Sequence, residues 1–347
     1  MSHEFYIQRC LQIAKNGIGT TRPNPSVGAV IVVNNKIIGE GFTAPYGGNH
    51  AEVNAINAVA NKTLLKQATL YVTLEPCSHF GKTPPCADLI VKHQLKNVVI
   101  GCEDSNALVA GKGIAQLQNS GINVVVGVLE TACKAHHKRF FTVQNKKRPY
   151  VILKWAETKD GFVAPHSRTV QKPVWISNAY SQQKVHQLRS KEHAVLVGTR
   201  TVLDDNPKLN VRSWSGINPI RVVLDRSARI SATAAVLDGS VQTIVFSEKQ
   251  KYPFDCSPEI HVESIDFSKN IAVQICEVLR KYKIQSLIIE GGSQTLQTFI
   301  DARIWDEAHV YVGAVSFNKG VKAPCLASEK VSETRIDNDL LKIYTNA

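Results

Sequence analysis

His50, Glu52, Cys77 and Cys86 constrain what this chain can fold into more than any other feature of its 347 residues. They lie in the stretches "HAEVNAINAV" and "EPCSHFGKTPPC". Two thiolates and an imidazole are ligands that zinc prefers, and a catalytic zinc keeps three protein ligands and one open position. To use all three, the fold must bring His50, at the start of one helix, to two cysteines at strand-to-helix turns. Helix N-termini there favour thiolate over thiol. A metal so held makes hydroxide available near neutral pH. Residues two apart do not share a face within a helix. At an opening turn, however, Glu52 can lean over a bound water, take its proton and deliver it to a leaving amine. The bland alternative, a capped helix with two buried cysteines, is disfavoured by the order of the residues, the Pro-Cys pair and the strand–turn–helix context.

The rest of the chain narrows the class. No run of 18 apolar residues appears, so no membrane span is expected. The polar, periodic start "MSHEFYIQRCLQIAKNG" lacks the parts of a signal peptide, which predicts a cytoplasmic protein. Eight cysteines are few for a disulfide scaffold of this length. Cys10, Cys102, Cys133 and Cys276 sit among apolar neighbours and read as small core residues. The net charge of +12 suits anionic partners as well as solubility. It is uneven, with 16 Lys/Arg against 8 Asp/Glu in residues 1–149. No basic block exceeds "KKR" at 146–148 and no aromatic–basic stripe is visible, which disfavours a nucleic-acid groove.

A change of character at "VQNKKRPY" places a domain boundary between 146 and 147. Before it, the spacing predicts a helix over 4–16 and a hairpin turning at Asn34-Asn35. A helix from His50, a strand in "ATLYVTL", and alternating helices and strands up to "INVVVGV" follow. After the boundary, "YVILKWAE", "HAVLVG", "PIRVVLD", "QTIVFS", "SLIIEGG" and "EAHVYVGAV" read as strands. "NAYSQQKVHQLRSKE", "KNIAVQICEVLRKY" and "SQTLQTFIDA" read as helices. Both halves are therefore expected to be sheets covered by helices.

His50-Ala51-Glu52, then Pro76-Cys77, then Cys86 is the zinc nucleobase deaminase order, with eight residues between the cysteines instead of two. "RPNPSVGAVIV", "HAEVNAI" and "ATLYVTLEPCSHFGKTPPCADLI", with the insert "SHFGKTPP", closely resemble the bifunctional riboflavin-biosynthesis deaminase–reductase family. The resemblance covers nearly the whole chain. It implies an N-terminal cytidine-deaminase-like three-layer α/β/α domain (1–146) and a C-terminal dihydrofolate-reductase-like α/β domain (147–347). It implies one zinc ion and NADPH as cofactors. The implied substrate is a phosphorylated pyrimidine, 2,5-diamino-6-(5-phosphoribosylamino)pyrimidin-4-one, which is deaminated before its ribosyl arm is reduced to ribityl. By position, Asn24, His79, Lys82, Asp104 and Asn106 resemble the deaminase substrate contacts. The loop carrying the last two reads "DSNA" where the family usually has Asp-Pro-Asn-Pro.

In the second half, "LIIEGG" sets two glycines between a strand and a helix, a place where backbone can approach phosphate. Lys154 lies in an apolar strand, where a lysine usually snorkels but can serve a cleft. The resemblance assigns cofactor contacts to Ala156, Trp175, Thr201, Asp205 and the run Gly292, Ser293, Gln294, Thr295, Leu296, Gln297 and Thr298. It assigns substrate contacts to Arg189, Leu209, Arg212 and Glu290. Lys154 is the candidate catalytic group beside the carbon that receives hydride. Two departures stand out: a longer segment between Asp160-Gly161 and Trp175, and Asn206 where the family commonly has a second Asp. A homo-oligomer, dimer or tetramer, is expected. The rival reading is a nucleic-acid base deaminase with an appended binding domain.

Overall fold

The structure is a computed structural model that describes residues 1–80, 84–105, 110–250, 252 and 257–346. It comprises two compact units, Met1–Lys147 and Arg148–Ala347. The division falls one residue after the junction expected from sequence.

The first unit runs α1 (His3–Ala14), β1 (Gly28–Val33), β2 (Lys36–Phe42), α2 (Ala51–Ala58), β3 (Thr69–Val72), α3 (Cys86–Lys92), β4 (Asn97–Ile100), α4 (Lys112–Asn119), β5 (Asn123–Val126), α5 (Glu130–His136) and α6 (Lys138–Lys146). Its strands are ordered β2-β1-β3-β4-β5. The hairpin edge is antiparallel, and β3, β4 and β5 are parallel. Asn34 and Asn35 have φ of 48° and 62°, the left-handed pair that a two-residue hairpin turn requires. Every residue of β1 is buried, as expected for a strand covered on both faces. Helices come close enough to need glycine. A Cβ on Gly28 would lie 2.0 Å from the carbonyl oxygen of Cys10, and one on Gly41 2.3 Å from the amide nitrogen of Ala55. Gly28→Ala is therefore expected to destabilise the first unit by about 1–3 kcal/mol, measured as a lower denaturation midpoint.

The second unit runs β6 (Tyr150–Glu157), β7 (Phe162–Ala164), α7 (Ala179–Lys191), β8 (Ala194–Gly198), α8 (Thr199–Asp205), β9 (Ile220–Leu224), β10 (Thr243–Ser247), β11 (Ile260–Ser264), α9 (Ile271–Lys281), β12 (Ser286–Gly291), α10 (Ser293–Asp301), β13 (Glu307–Val312), β14 (Val321–Lys322), β15 (Lys330–Ile336) and β16 (Asp339–Thr345). The main sheet is ordered β11-β10-β9-β8-β12-β6-β13-β16-β15. It is parallel from β11 to β13 and antiparallel beyond. The fully buried Leu287, Ile288 and Ile289 of β12 make it a central strand. Neighbouring parallel strands β8, β12 and β6 bring their carboxyl ends together, where open α/β sheets take ligands. Cys10, Cys102, Cys133 and Cys276 are buried. Among the described residues no helix is long and apolar enough to cross a membrane.

Candidate functional site

In the first unit, His50 precedes α2, Cys77 follows β3, and Cys86 opens α3. Strand and helix starts thus converge on one point. His50 Nδ1 lies 3.6 Å from Cys77 Sγ and 3.4 Å from Cys86 Sγ. The donor atoms of the three residues all fall within 4.8 Å of one another. Zinc bonds of ordinary length at tetrahedral angles give a nitrogen–sulfur edge of roughly 3.5 Å. The donors present therefore fit zinc. A hydrogen bond with Cys86 lowers the Cys77 thiol, burial works against it, and His50 adds to the lowering. The same hydrogen bond, with burial, raises Cys86.

Glu52, in the first turn of α2, is 4% exposed. Burial, aided by the Cys77 thiolate, pushes its carboxyl up to about 7, and His50 partly opposes this. Its carboxyl also interacts with the Cys86 thiol, which puts it beside the donor cluster. Asn24 sits in a turn, its N–H donating to Thr21 O at 2.9 Å. Asp104 is buried. The buried Nδ1 of His79 has no hydrogen-bond partner among the described residues, leaving a polar atom for a ligand to satisfy. Lys82 and Asn106 lie outside the described residues.

In the second unit, a cavity of about 1310 Å³ opens at the carboxyl ends of the central strands. That exceeds a typical small-ligand pocket and leaves room for two ligands. Most of the expected residues line it: Lys154, Ala156, Trp175, Arg189, Thr201, Asp205, Leu209, Arg212, Glu290, Gly292 to Leu296, and Thr298. Gln297 does not; its side chain bonds Asp301 at 2.7 Å and the backbone of Cys325. The glycine turn is a cradle that side chains would fill. A Cβ on Gly198 would lie 2.5 Å from Thr295 Oγ1, and one on Gly291 3.1 Å from Thr201 Oγ1. Beyond it the N-terminus of α10 turns its first-turn N–H groups and positive end to the cavity wall.

Glu290 organises the charged wall. It accepts two hydrogen bonds from Arg189, at 2.6 and 2.7 Å, and lies 3.9 Å from Lys154 Nζ. Burial would raise the Glu290 carboxyl, but Arg189 and Lys154 outweigh it and hold it down at about 2. Burial lowers Lys154, and Glu290 partly restores it.

Residues 149–336 match the family described as RibD C-terminal domain, and residues 1–102 match the cytidine and deoxycytidylate deaminase zinc-binding region. The riboflavin biosynthesis protein RibD of Aquifex aeolicus is 37% identical over 331 residues, covering 95% of this chain and 92% of that protein. The chain belongs to the RibD family. Escherichia coli RibD is 33% identical over 94% of the chain and 91% of its own length. A Thermotoga maritima structure described as a diaminohydroxyphosphoribosylaminopyrimidine deaminase/5-amino-6-(5-phosphoribosylamino)uracil reductase superposes with a TM-score of 0.90. It is 38% identical, with 99% of each chain covered. Acinetobacter baumannii RibD gives 0.89 at 33% identity, with the same coverage. RibD structures thus match the cytidine-deaminase-like and dihydrofolate-reductase-like pair of domains expected from the sequence.

Within this RibD-family fold the two departures have physical counterparts. Asn206 ends α8 with φ of 42°, a left-handed position that asparagine tolerates, and its side chain accepts the N–H of Ala235 at 2.8 Å. The long 160–175 segment carries Arg168, which pairs with Asp205 and also bonds Lys172 O. Arg168, His186, Arg226 and Arg229 line the cavity but escaped the reading of the sequence. His186 stands three residues before Arg189 on α7, so helical spacing could have found it. Arg226 follows the end of β9 by two residues, the usual place for a ligand contact in a parallel sheet.

Proposed function

We propose that this chain performs two consecutive steps of riboflavin biosynthesis. Residues 1–146 hydrolytically deaminate 2,5-diamino-6-(5-phosphoribosylamino)pyrimidin-4-one, and residues 147–347 use NADPH to reduce the ribosyl arm of the product to ribityl. The observation that carries the reading is the His50, Cys77 and Cys86 donor set beside the buried Glu52. The family match over both units supports it.

His50, Cys77 and Cys86 hold the zinc, whose Lewis acidity makes water nucleophilic at neutral pH. Glu52 takes the proton released from water and hands it to the departing amine. A buried carboxyl beside the donor set is placed for both halves of that transfer. Asn24, His79, Lys82, Asp104 and Asn106 orient the pyrimidine and its phosphoribosyl arm, and the unpartnered His79 nitrogen is consistent with such a contact. Cys86→Ser is expected to lose zinc and deamination together while the reductase step persists. Metal analysis alongside both activity assays checks this.

In the second unit the cofactor supplies hydride. Ala156, Trp175, Thr201, Asp205, Gly292 to Leu296 and Thr298 bind it. Arg189, Leu209, Arg212 and Glu290 hold the phosphorylated substrate, and Lys154 donates the proton that accompanies hydride transfer. Arg200, Arg226 and Arg229 on the cavity wall suit an anionic dinucleotide, because guanidinium forks match phosphate oxygens. NADPH is expected to exceed NADH in kcat/KM by about tenfold or more, the worth of one charge-assisted hydrogen bond. Parallel assays with the two cofactors measure it. The same reading takes the chain to be a homo-oligomer, dimer or tetramer, that does not act on nucleic acid. Sedimentation and a gel shift at moderate salt test these points.

A further inference from the structure

Glu75 is a buried carboxylate that the two reactions leave unused. It follows β3, immediately before Pro76-Cys77, and is 4% exposed. Its carboxylate accepts four backbone hydrogen bonds. Oε2 takes the N–H of Asp104 at 3.1 Å and of Gly111 at 3.0 Å. Oε1 takes Gly113 at 2.9 Å and Ile114 at 3.1 Å. The last two belong to the first turn of α4, whose own N-cap, Gly111 at φ of 77°, has no side chain to offer. Glu75 thus supplies from another element the cap that α4 lacks, and its negative charge meets the positive helix end. Packing fixes the same contact. A Cβ on Gly113 would lie 2.1 Å from Pro76 O and 3.2 Å from Glu75 Oε1, so the first turn of α4 rests directly on Glu75-Pro76. The Glu75 N–H donates to Cys102 O at 3.0 Å, which ties the ends of β3 and β4 together.

We propose that Glu75 is a positioning residue of the deaminase site. Its carboxylate fixes Asp104 and the start of α4 in register with the strand end that presents Cys77. This rests on the function proposed above, in which Asp104 contacts the pyrimidine nucleotide. One carboxylate therefore sets the distance between a substrate contact and a metal ligand that lie far apart in sequence. A glutamine has one acceptor oxygen, and its NH₂ would face N–H donors, so at least two of the four bonds would be lost.

The test is Glu75→Gln in the full chain. KM for the pyrimidine nucleotide is expected to rise about tenfold or more, with a smaller change in kcat. Amide exchange at Asp104, Gly111, Gly113 and Ile114, read by mass spectrometry, should quicken. Zinc content and the reductase rate should stay at wild-type values. In an Asp104→Asn background the same substitution should raise KM far less, because both changes remove one contact. Gly113→Ala disturbs the same seat independently and should likewise raise KM with zinc retained. Unchanged KM despite faster exchange, KM effects that multiply in the double variant, or zinc loss in both variants would overturn the proposal. A wild-type chain that releases no ammonia from the nucleotide would instead overturn the function beneath it.

Discussion

Glu52→Gln is expected to slow ammonia release by about 10²–10⁴-fold, the usual worth of a general acid–base group. Glutamine keeps the shape of the side chain but can neither accept the proton from water nor return it to the leaving amine. The substitution leaves His50, Cys77 and Cys86 untouched, so zinc content should stay at one ion per chain. Reduction of the deaminated intermediate should be unchanged, because Glu52 belongs to the first unit and the cavity to the second. A single preparation therefore yields three readings: deamination, metal content and NADPH oxidation. Loss of the first alone is the expected pattern. A glutamine variant that deaminates at the wild-type rate would remove Glu52 from the reaction.

Glu290→Gln has the second large effect, on stability as well as activity. The carboxylate stands between Arg189 and Lys154, whose side chains are only 10% and 15% exposed. Removing its charge leaves two buried cations without a counter-charge, a loss of about 3–5 kcal/mol. For a unit of this size that lowers the melting temperature by roughly 6–20 °C. The pH dependence has a definite sign. The Glu290 pKa falls from its ordinary 4.5 to about 2 in the folded protein. Its contribution is therefore complete above about pH 4.5 and disappears as the pH falls towards 2. Wild type should lose stability across that acid window, and the glutamine variant should lack that part of the loss. Thermal melts at several pH values separate the two, and equal melting temperatures at neutral pH would show that the ion pair gives no net stability.

The strands and helices were legible where apolar periodicity was strong. "YVILKWAE" is β6 residue for residue, and Asn34-Asn35 is the hairpin turn. The β15–β16 hairpin was missed because β15 is exposed along almost all its length, so its sequence carries no apolar alternation. The short α8 was missed because it follows β8 with no break between them. At the site, the clustering of His50, Cys77 and Cys86 was legible because few residue types bind zinc and their order is distinctive. Arg168, Arg226 and Arg229 were not, because an arginine that faces a cavity reads in sequence like one that faces water. Glu75 was hidden for another reason. Its partners are backbone N–H groups 29 to 39 residues away, and no side-chain pattern records them.

The most direct measurement is a zinc titration of the metal-free full-length chain, following ammonia released from the pyrimidine nucleotide. The rate should rise in proportion to added zinc and level off at one equivalent per chain. Full deamination before any metal is added, or a rate that stays at zero after one equivalent is bound, would contradict the assignment of His50, Cys77 and Cys86.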